Sequence, residues 1–443
     1  MREDWIECVL PELVTNNGVF CDGDWIEKKD QDILGGIRLI QLSDIGDGIF
    51  RDKSNIFINE ETSIKLKVHF LKKDDILIAR MPDPLGRAVI FPLEGDRRFI
   101  TAVDIAMLRF GSNLLENKFF LYQINSPLIR SEISKLESGT TRKRISRKNL
   151  STIKFVLSPL SEQRAIVKKL ESLFSSLDAG VADLKKAQQQ LKIYRQAVLK
   201  KAFDSNAEFF RIGECFSFLG GGTPSKQNKG YWNGNINWAS IKDIKGDILN
   251  NTIDYITEDG LKNSSSNLAE KNEVILATRI NPGKTIISNI RTAINQDLKV
   301  IKPFYKCDYK YIHYLFKSIQ HKCLKVSSGT TVLGISLANL KEIEIPFEKD
   351  IQQQAKIVKE IESRLSVCDS IEQNIKESLE KAEALRQSIL KKAFEGNLLT
   401  AQELAECKQA ADYEPASVLL ERIKAEQKQA VKPKTIKKTI AKK

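Results

Sequence analysis

The sequence predicts an α+β protein in which an internal two-fold repeat produces two mixed α/β domains and two long helices. Three observations support this fold class: a polar motif recurs after 190 residues, a helical motif recurs after 191, and apolar residues follow each polar motif at helical spacing. The length of 443 residues also exceeds the roughly 250 to 300 residues that one hydrophobic core usually organises. We therefore expect at least two domains.

The polar motif is identical at eight of thirteen positions in its two copies. It comprises Ser138-Gly139-Thr140-Thr141, Ile145-Ser146 and Asn149-Leu150 in the first copy, and Ser328-Gly329-Thr330-Thr331, Ile335-Ser336 and Asn339-Leu340 in the second. The helical motif is identical at seven of nine positions between residues 195–203 and 386–394. Because both motifs recur in the same order, the chain is two copies of one structural plan.

The part of each copy that precedes the polar motif contains short apolar runs of strand length, separated by Gly, Pro, Asn and Asp. Residues 76–79 correspond to residues 274–277, and residues 37–45 align with residues 236–244. We expect a sheet-rich α/β domain in each copy.

A long helix is predicted after each of these regions. In the first copy Ser161 follows Pro159-Leu160 as a candidate N-cap, and Gly180 marks an expected interruption. Apolar residues then recur every seven positions, which is typical of a helix that packs along one seam against another helix. A long helix that packs only on its own domain is the alternative.

These patterns divide the chain into five segments. They are a first α/β domain at 1–160, a central helical spacer at 161–206, a second α/β domain at 207–350, a second helical spacer at 351–400 and a basic tail at 401–443. The apolar rhythm weakens in the tail, so we expect it to be disordered. It either assists binding to phosphates or is a solvated tail without a specific partner.

The net charge of +13 is uneven along the chain. Residues 421–443 contain nine Lys or Arg and two Glu, so the rest of the chain has a net charge of only about +6. Net charge is therefore weak evidence for a nucleic-acid partner. Seven scattered cysteines without a C-x-x-C pair, and the lack of a signal peptide or a long apolar run, predict a soluble cytoplasmic protein without membrane contact.

Catalytic signatures are absent from the sequence. Residues 281–285 end like a phosphate-binding loop, but Thr278 occupies the position where that loop needs glycine. His69, His313 and His321 have no metal-site or triad spacing. The acidic residues within 83–96 lack the lysine of a nuclease site, and no adenine-pocket motif of a methyltransferase is present. The Gly-rich turn at 220–224 lacks the spacing of a nucleotide site but is a candidate DNA contact.

This arrangement resembles the specificity subunits of Type I restriction-modification enzymes, and the resemblance spans nearly the whole chain. Its marks are the repeated polar motif and the helix entry, which in the first copy reads Ser158-Pro159-Leu160-Ser161-Glu162-Gln163 followed by Ile166-Val167. The second copy departs from this entry with Lys349-Asp350-Ile351-Gln352-Gln353-Gln354 ahead of Ile357-Val358, which leaves the start of its helix open.

The resemblance implies two target-recognition domains separated by two long antiparallel coiled-coil helices. Each domain would read one half of a bipartite target in double-stranded DNA, and the helices would fix the gap between the half-sites. Two modification subunits that use S-adenosylmethionine to methylate adenine N6 would dock on the helices, and restriction subunits that use ATP and Mg²⁺ would join them. The chain itself would be non-catalytic and would bind no cofactor.

Candidate DNA contacts follow from the repeat and from side-chain chemistry. Arg80 and Arg279 end corresponding strand-like segments, and Lys284 lies in the turn after Arg279. The polar motifs add hydroxyl and basic groups at Ser138, Thr140, Thr141, Arg142, Lys143, Arg144, Thr330 and Thr331. A purely structural turn is the equal alternative for these loops, because residues 332–334 replace the basic triplet with Val-Leu-Gly.

The helices offer a set of apolar residues for subunit docking. These are Leu184, Leu191, Val198, Ile375, Leu385 and Ile389. Two other functions remain open: a coiled-coil scaffold that binds proteins without a DNA role, and an enzyme that acts on nucleic acid by itself. Salt-dependent binding of duplex DNA would separate the scaffold from a DNA reader.

Overall fold

The computed structural model describes residues 2–82, 84–95, 97–204 and 208–428. The chain forms two compact units, one comprising Met1–Ala182 with Leu379–Lys443 and the other comprising Asp183–Ser378. Each unit therefore contains the sheet-rich domain of one copy together with a part of each long helix.

The first copy has nine described strands, four short α-helices and one long helix. Its strands are β1 (Ile6–Val9), β2 (Val19–Asp22), β3 (Ile37–Ile40), β4 (Ile56–Ile58), β5 (Ile76–Ala79), β6 (Ala88–Ile90), β7 (Arg98–Thr101), β8 (Ile105–Arg109) and β9 (Lys154–Leu157). Its helices are α1 (Glu60–Leu66), α2 (Asn117–Ile124), α3 (Pro127–Lys135), α4 (Arg147–Leu150) and the long α5 (Leu160–Asp204).

These strands form three sheets, with strand orders β2-β8-β5-β6, β4-β3-β7 and β1-β9. The four-stranded sheet is buried on both faces, which explains why its strands are continuously apolar. Ile76 and Ile78 of β5 share one core with Phe119 of α2, whereas Leu77 and Ala79 face a second core on the opposite side.

The second copy repeats this plan with two additional strands. Its strands are β10 (Glu208–Arg211), β11 (Phe216–Gly220), β12 (Trp232–Ala239), β13 (Ile248–Leu249), β14 (Asp254–Ile256), β15 (Asn267–Ala269), β16 (Val274–Ala277), β17 (Thr285–Ser288), β18 (Thr292–Ile294), β19 (Leu298–Pro303) and β20 (Glu344–Phe347). Its helices are α6 (Ile212–Cys215), α7 (Glu258–Lys262), α8 (Tyr309–Lys325), α9 (Leu337–Lys341) and the long α10 (Ile351–Phe394), and the chain continues with α11 (Ala401–Gln409) and α12 (Ala416–Lys428).

The sheets of the second copy have the orders β11-β19-β16-β17-β13, β14-β12-β18-β15 and β10-β20. The additional strands β13 and β15 each extend one edge of a sheet that the first copy also has. The sheet β4-β3-β7 of the first copy and the sheet β14-β12-β18-β15 of the second each contain one parallel pair, β3 with β7 and β12 with β18. The predicted fold class and internal repeat are confirmed.

Helix α5 is continuous over 45 residues, so the predicted interruption at Gly180 is wrong. A helical glycine costs about 1 kcal/mol relative to alanine, which the packing on either side of it outweighs. Within each unit the parts of α5 and α10 run antiparallel. Equivalent ion pairs join them: Arg195 to Asp369 at 2.6 Å in one unit and Arg386 to Asp178 in the other.

Two buried glutamines fix the start of the long helices in the two copies. Gln163 accepts a hydrogen bond from the Glu116 backbone N–H at 3.0 Å and donates to the Ser158 carbonyl at 2.8 Å. Gln354 makes the same pair of bonds, to the Asp308 N–H at 2.9 Å and the Glu348 carbonyl at 2.7 Å. The helix start that the sequence left open in the second copy is therefore Ile351.

The prediction of a disordered tail is wrong for residues 401–428, which form α11 and α12. Leu419, Leu420 and Ile423 are buried in the same core as Leu10 and Leu13. These apolar residues recur at helical spacing, but the surrounding Lys, Gln and Ala obscure the pattern in the sequence. Residues 429–443 of the predicted tail lie outside the described residues.

Helices α11 and α12 pack in their unit beside a buried glutamate at the start of α5. Glu162 is fully buried, and its Oε2 accepts hydrogen bonds from the Trp5 indole at 2.7 Å and from Arg2 at 3.0 Å. Asp4 accepts a hydrogen bond from the Tyr413 hydroxyl at 3.0 Å. None of the helices in the described part of the chain has the length and apolar character needed to cross a bilayer.

All seven cysteines are free thiols, and five of them are buried. Burial raises the pKa of the Cys8 thiol to about 12 and that of Cys323 to about 12. These thiols therefore stay protonated and act as small apolar side chains in the cores.

Candidate nucleic-acid interface

The repeated Ser-Gly-Thr-Thr sequence forms an exposed loop of seven residues in each copy, at 138–144 and 328–334. Reciprocal backbone bonds close each loop: Ser138 and Arg144 exchange bonds of 2.8 Å, and Ser328 and Gly334 exchange bonds of 2.9 Å. The glycine is required, because Gly329 has φ +133° and a Cβ there would lie 2.1 Å from the Val332 carbonyl oxygen. We call these segments the Ser-Gly-Thr-Thr loops.

The predicted loop residues of both copies are exposed to solvent. They are Ser138, Thr140, Thr141, Arg142, Lys143, Arg144, Thr330 and Thr331. Lys143 pairs with Glu137 at 2.5 Å, whereas Arg142 and Arg144 have no ion-pair partner in the described part of the chain. The loops thus have both a structural closure and a solvent-facing surface that can contact a ligand.

Backbone hydrogen bonds show which residues of the two copies are equivalent beside these loops. The Arg80 N–H donates to the Asp104 carbonyl at 2.9 Å, and the Thr278 N–H donates to the Asp297 carbonyl at 2.9 Å. The prediction that Arg80 and Arg279 correspond is therefore wrong by one residue, because Thr278 occupies the position of Arg80. The second copy has one more residue than the first between the strand and the charged side chain.

The two arginines also differ in what they offer to a ligand. The Arg80 side chain is mostly buried; it donates to the Val103 carbonyl at 2.5 Å and lies 3.4 Å from Asp22. The Arg279 side chain is about half exposed and lies 3.4 Å from Asp297. Arg279 is available for DNA contact, whereas Arg80 supports the backbone of residues 103–104.

Lys284 is used inside its own domain. Its ammonium group donates to the Ile244 carbonyl at 2.8 Å. In the first copy Arg87 makes the matching bond to the Ile45 carbonyl at 2.7 Å. Both cations join the central sheet to the loop after β3 or β12, so Lys284 has a structural contact, and its DNA contact stays a prediction.

Each Ser-Gly-Thr-Thr loop is continuous with a second loop, which we call the entry loop, at 24–36 in the first copy and 222–231 in the second. In the second copy the Gly222 N–H donates to the Ile294 carbonyl at 2.9 Å, and residues 295–297 connect that strand to Thr278. In the first copy the Asp24 N–H donates to the Thr101 carbonyl at 2.7 Å, and residues 102–104 connect to Arg80. We call the combined surface of the two loops and this connection the loop edge.

In the second copy the loop edge contains a cleft of about 1080 Å³. Its lining includes Lys226, Lys229 and Lys242, none of which has an ion-pair partner among the residues described. The Gly-rich turn that the sequence marked as a candidate DNA contact lines the same cleft at Gly222. The lysines were missed because the turn was recognised by its glycines, whereas Lys226 and Lys229 lie further along the loop and Lys242 lies beyond β12.

The corresponding entry loop of the first copy exposes large apolar side chains and has four acidic residues against two lysines. Trp25 is 68% exposed, and the adjacent Ile33 and Leu34 are each 93% exposed. Lys29 of this loop is paired with Glu27 at 2.6 Å. At the base of the loop, burial raises the pKa of Asp24, although hydrogen bonds from His69 oppose the shift.

The predicted docking residues on the helices are mostly inside the protein. Leu191, Val198, Ile375 and Ile389 are buried, Leu184 is half-buried and only Leu385 is strongly exposed. Leu184, Leu191 and Val198 lie seven residues apart on α5, and Val198 shares a core with Ile361 of α10, as expected of a seam between two helices of one chain. Further exposed apolar residues on the helices, among them Ile193, Tyr194, Val367 and Ile371, were not in the predicted docking set.

The three histidines have structural contacts. His69 lies 3.2 Å from Asp24, the buried His313 lies 3.0 Å from the Thr285 hydroxyl, and His321 contacts the Ser318 carbonyl at 3.1 Å. Within the ranges that the structure describes, no group of three His, Cys, Asp or Glu side chains is placed to hold a metal ion.

A protein-family comparison matches both copies. The model described as the Type I restriction modification DNA specificity domain matches residues 18–187 and 204–381, which together make up more than half of the chain. Each match contains one complete loop edge.

Several curated proteins are similar over long alignments. The specificity subunit of Type I restriction enzyme EcoBI from Escherichia coli is 27% identical, and the alignment covers 96% of this chain and 93% of that protein. The EcoKI specificity subunit from Escherichia coli strain K12 is 28% identical over 71% of this chain and 72% of that protein. With the EcoR124I/EcoR124II specificity subunit, also from Escherichia coli, the identity is 29% and the chain spans 57% of that relative's length.

Two solved structures share the fold at 18% identity. One, from a study of complex assembly and conformational transition of the type I R-M system, gives a TM-score of 0.71 and covers 90% of this chain and 99% of that chain. The other, an HsdS subunit from Thermoanaerobacter tengcongensis, gives a TM-score of 0.56 with coverage of 90% and 98%.

Proposed function

Because the chain belongs to the family of Type I restriction-modification DNA specificity subunits, we propose that it reads a bipartite DNA target, with one half-site per copy. The observation that supports this most directly is the pair of loop edges. The same backbone bonds hold the loops in both copies, yet the exposed side chains differ outside the Ser-Gly-Thr-Thr sequence itself. A reader of two unlike half-sites needs this combination, because base edges are distinguished by the side chains presented to them.

The proposed partners follow from the family. Two modification subunits would bind S-adenosylmethionine and transfer methyl groups to adenine N6, and restriction subunits would use ATP and Mg²⁺. This chain would contribute target choice and no catalytic group. The structural relative with the TM-score of 0.71 comes from a study of complex assembly in a type I system, which supports a role within a larger complex.

The helices are the proposed docking surface for the modification subunits. Exposed apolar side chains on α5 and α10 favour this, since a buried seam residue cannot contact a partner. Tyr194 and Leu385 occupy equivalent positions immediately before the repeated helical motif and are both about half exposed. Contact at these two residues would allow two copies of one partner to bind in the same way.

The test is to map N6-methyladenine across the genome of cells that express this chain with its modification subunit, and of cells that lack only this chain. One bipartite motif with a fixed gap, present only with the chain, is the expected result. If an active modification subunit methylates no such motif, the scaffold alternative is favoured. Duplex binding that does not weaken as salt increases would argue against phosphate contacts, and no duplex binding at low salt would argue against a DNA role.

A further inference from the structure

We propose that Gln296 reads an adenine in the half-site of the second copy, and that Lys226, Lys229 and Lys242 hold the neighbouring phosphates. This inference rests on the proposed function and assigns the side chains that perform it. All four residues line the cleft on the loop edge of the second copy.

The entry loop of the second copy is held in place before any ligand binds. The Trp238 indole N–H donates to the Gly222 carbonyl at 3.1 Å, and the Trp232 indole N–H donates to the Ser225 carbonyl at 3.2 Å. The two indole rings pack edge to face, with 5.1 Å between their centroids. Lys226 is therefore attached to a fixed backbone, which reduces the entropy lost when it contacts a phosphate.

Strand β12 bends at the mouth of the cleft. Its pairing with β14 shifts between Trp232 and Ile236, and Asn233 has the positive φ of +59°. A bulge of this kind re-aims the strand and often lies beside a functional site. Here Asn233 lines the cleft together with the tryptophans and the lysines.

Gln296 is exposed, but its side-chain amide is held at one end. The Thr223 hydroxyl donates to its Oε1 at 2.5 Å, and its backbone carbonyl accepts a hydrogen bond from Lys299 at 2.8 Å. The amide NH₂ has no partner among the residues that the structure describes. A fixed amide with a free donor and a remaining acceptor lone pair matches the N7 and N6 groups of adenine in the major groove.

The lysines supply the phosphate contacts that fix the position of the protein on the duplex, which a single base contact does not provide. Phosphate contacts position a protein on the duplex without reading sequence, and an unpaired ammonium group gains most from such a contact. Asp297 lies in the same cleft but is engaged by Arg279, so it does not compete for the lysines. In the first copy the position of Gln296 is occupied by Val103, so this mode of reading belongs to the second copy only.

The first experiment compares methylated motifs in cells with wild-type chain, Gln296→Ala and Gln296→Glu. Preference for adenine at one position of one half-site should fall roughly tenfold to a hundredfold with Gln296→Ala. Gln296→Glu should shift that preference towards cytosine, because a carboxylate accepts from cytosine N4. The other half-site and the gap should stay the same. An unchanged motif in both variants would overturn the assignment, while the wild-type motif would still support the proposed function.

The second experiment measures binding of the motif duplex at several salt concentrations with the Lys226→Ala, Lys229→Ala and Lys242→Ala triple variant. The slope of log affinity against log salt should become shallower by about 2 to 3. The matched control replaces Lys262, Lys271 and Lys325, exposed lysines of the same copy outside the cleft, and should leave the slope unchanged. Equal slopes in both triple variants would overturn the phosphate contacts. Loss of the modification subunit without a change in slope would also overturn them, because it would identify an acidic protein surface as the ligand.

Discussion

In the first copy the positive charge of the loop edge lies mainly on the Ser-Gly-Thr-Thr loop, at Arg142, Lys143 and Arg144, because the entry loop has four acidic residues against two lysines. In the second copy the entry loop and its surroundings contain the unpaired lysines, and the Ser-Gly-Thr-Thr loop ends in Val-Leu-Gly. The backbone bonds that position these loops are nevertheless the same. The backbone bonds that position the loops, which we call the shared frame, are therefore constant while the exposed charges differ. Positive charge can lie on either loop without a change in fold.

The strongest test of a shared frame is removal of the buried glutamines. Gln163→Ala and Gln354→Ala each leave one N–H and one carbonyl without a partner, which should cost about 2 to 6 kcal/mol of unfolding free energy. Denaturant unfolding measures the loss, and hydrogen exchange by peptide assigns it to one unit. The exposed Gln353→Ala is the control and should be neutral. A large effect in only one copy would contradict the shared frame.

A smaller effect, in the first copy only, is expected for the residue that precedes each of these glutamines: Glu162 is buried, whereas its equivalent Gln353 is exposed. Glu162→Ala removes the acceptor of Trp5 and Arg2 and should destabilise its unit by about 3 kcal/mol, because it leaves buried polar groups unpaired. Glu162→Gln keeps an acceptor for Trp5 and should lose less. Since Gln353 occupies the equivalent position on the surface, a comparable loss in Gln353→Ala would mean that the copies are more alike here than the structure indicates.

The exchange of charge between loops predicts a moderate effect on binding. Replacing Arg142, Lys143 and Arg144 with alanine should make the salt dependence of duplex binding shallower by about 2 to 3 and weaken the half-site of the first copy. The matched variant, Val332→Ser with Leu333→Ser, should leave the slope unchanged because it removes no charge. Equal slopes for the two variants would remove the proposed difference between the loops.

The smallest effect concerns an ion pair that both copies possess. Asp247 pairs with Lys317 at 2.7 Å, and Asp47 pairs with Arg130 at 2.7 Å. The His313 ring, and then Lys317, hold the pKa of Asp247 below its usual range. A lowered pKa stabilises the fold above the unfolded value of about 3.9, and the benefit disappears as pH falls through the folded value.

Asp247→Asn should therefore lower the unfolding free energy at pH 7 by about 1 kcal/mol or less, since the carboxylate is half exposed. Unfolding measured from pH 7 down to pH 3 should show wild type and variant converging below about pH 4. A gap that widens towards acid pH would contradict this account. Asp47→Asn serves as the comparison in the first copy.

The fold was predictable because two motifs recur in the same order, which reveals the repeat, and because apolar periodicity distinguishes strands from helices. Two predictions were wrong because they relied on the local preference of individual residues rather than on packing. Gly180 suggested a break that helix packing overrides, and the basic residues around Leu419 and Ile423 hid a buried helical stripe. The pairing of Arg195 with Asp369 could have been predicted from the repeat. Arg195 is equivalent to Arg386 and Asp178 is equivalent to Asp369, each at an offset of 191 residues.

The candidate site was predictable in position but not in detail. The sequence located the exposed Ser-Gly-Thr-Thr loops and the turn at Gly222, whereas it did not reveal that Arg80 and Lys284 bond to backbone carbonyls. The residue type alone does not distinguish a cation that stabilises the fold from a cation that is free to bind a phosphate. Only the partners of the charged group distinguish them, and these partners lie about 20 to 40 residues away along the chain.

The division of the chain has a consequence for its origin. Residues Leu379–Lys443 belong to the unit that begins the chain, so each unit is completed by a helix segment encoded in the other copy. A gene for a single copy would produce a helix lacking half of its seam, and two such products could supply each other's missing halves. The molecule has the connectivity expected if an ancestral homodimer became one polypeptide by tandem gene duplication and fusion, after which the two halves were free to diverge in what they recognise.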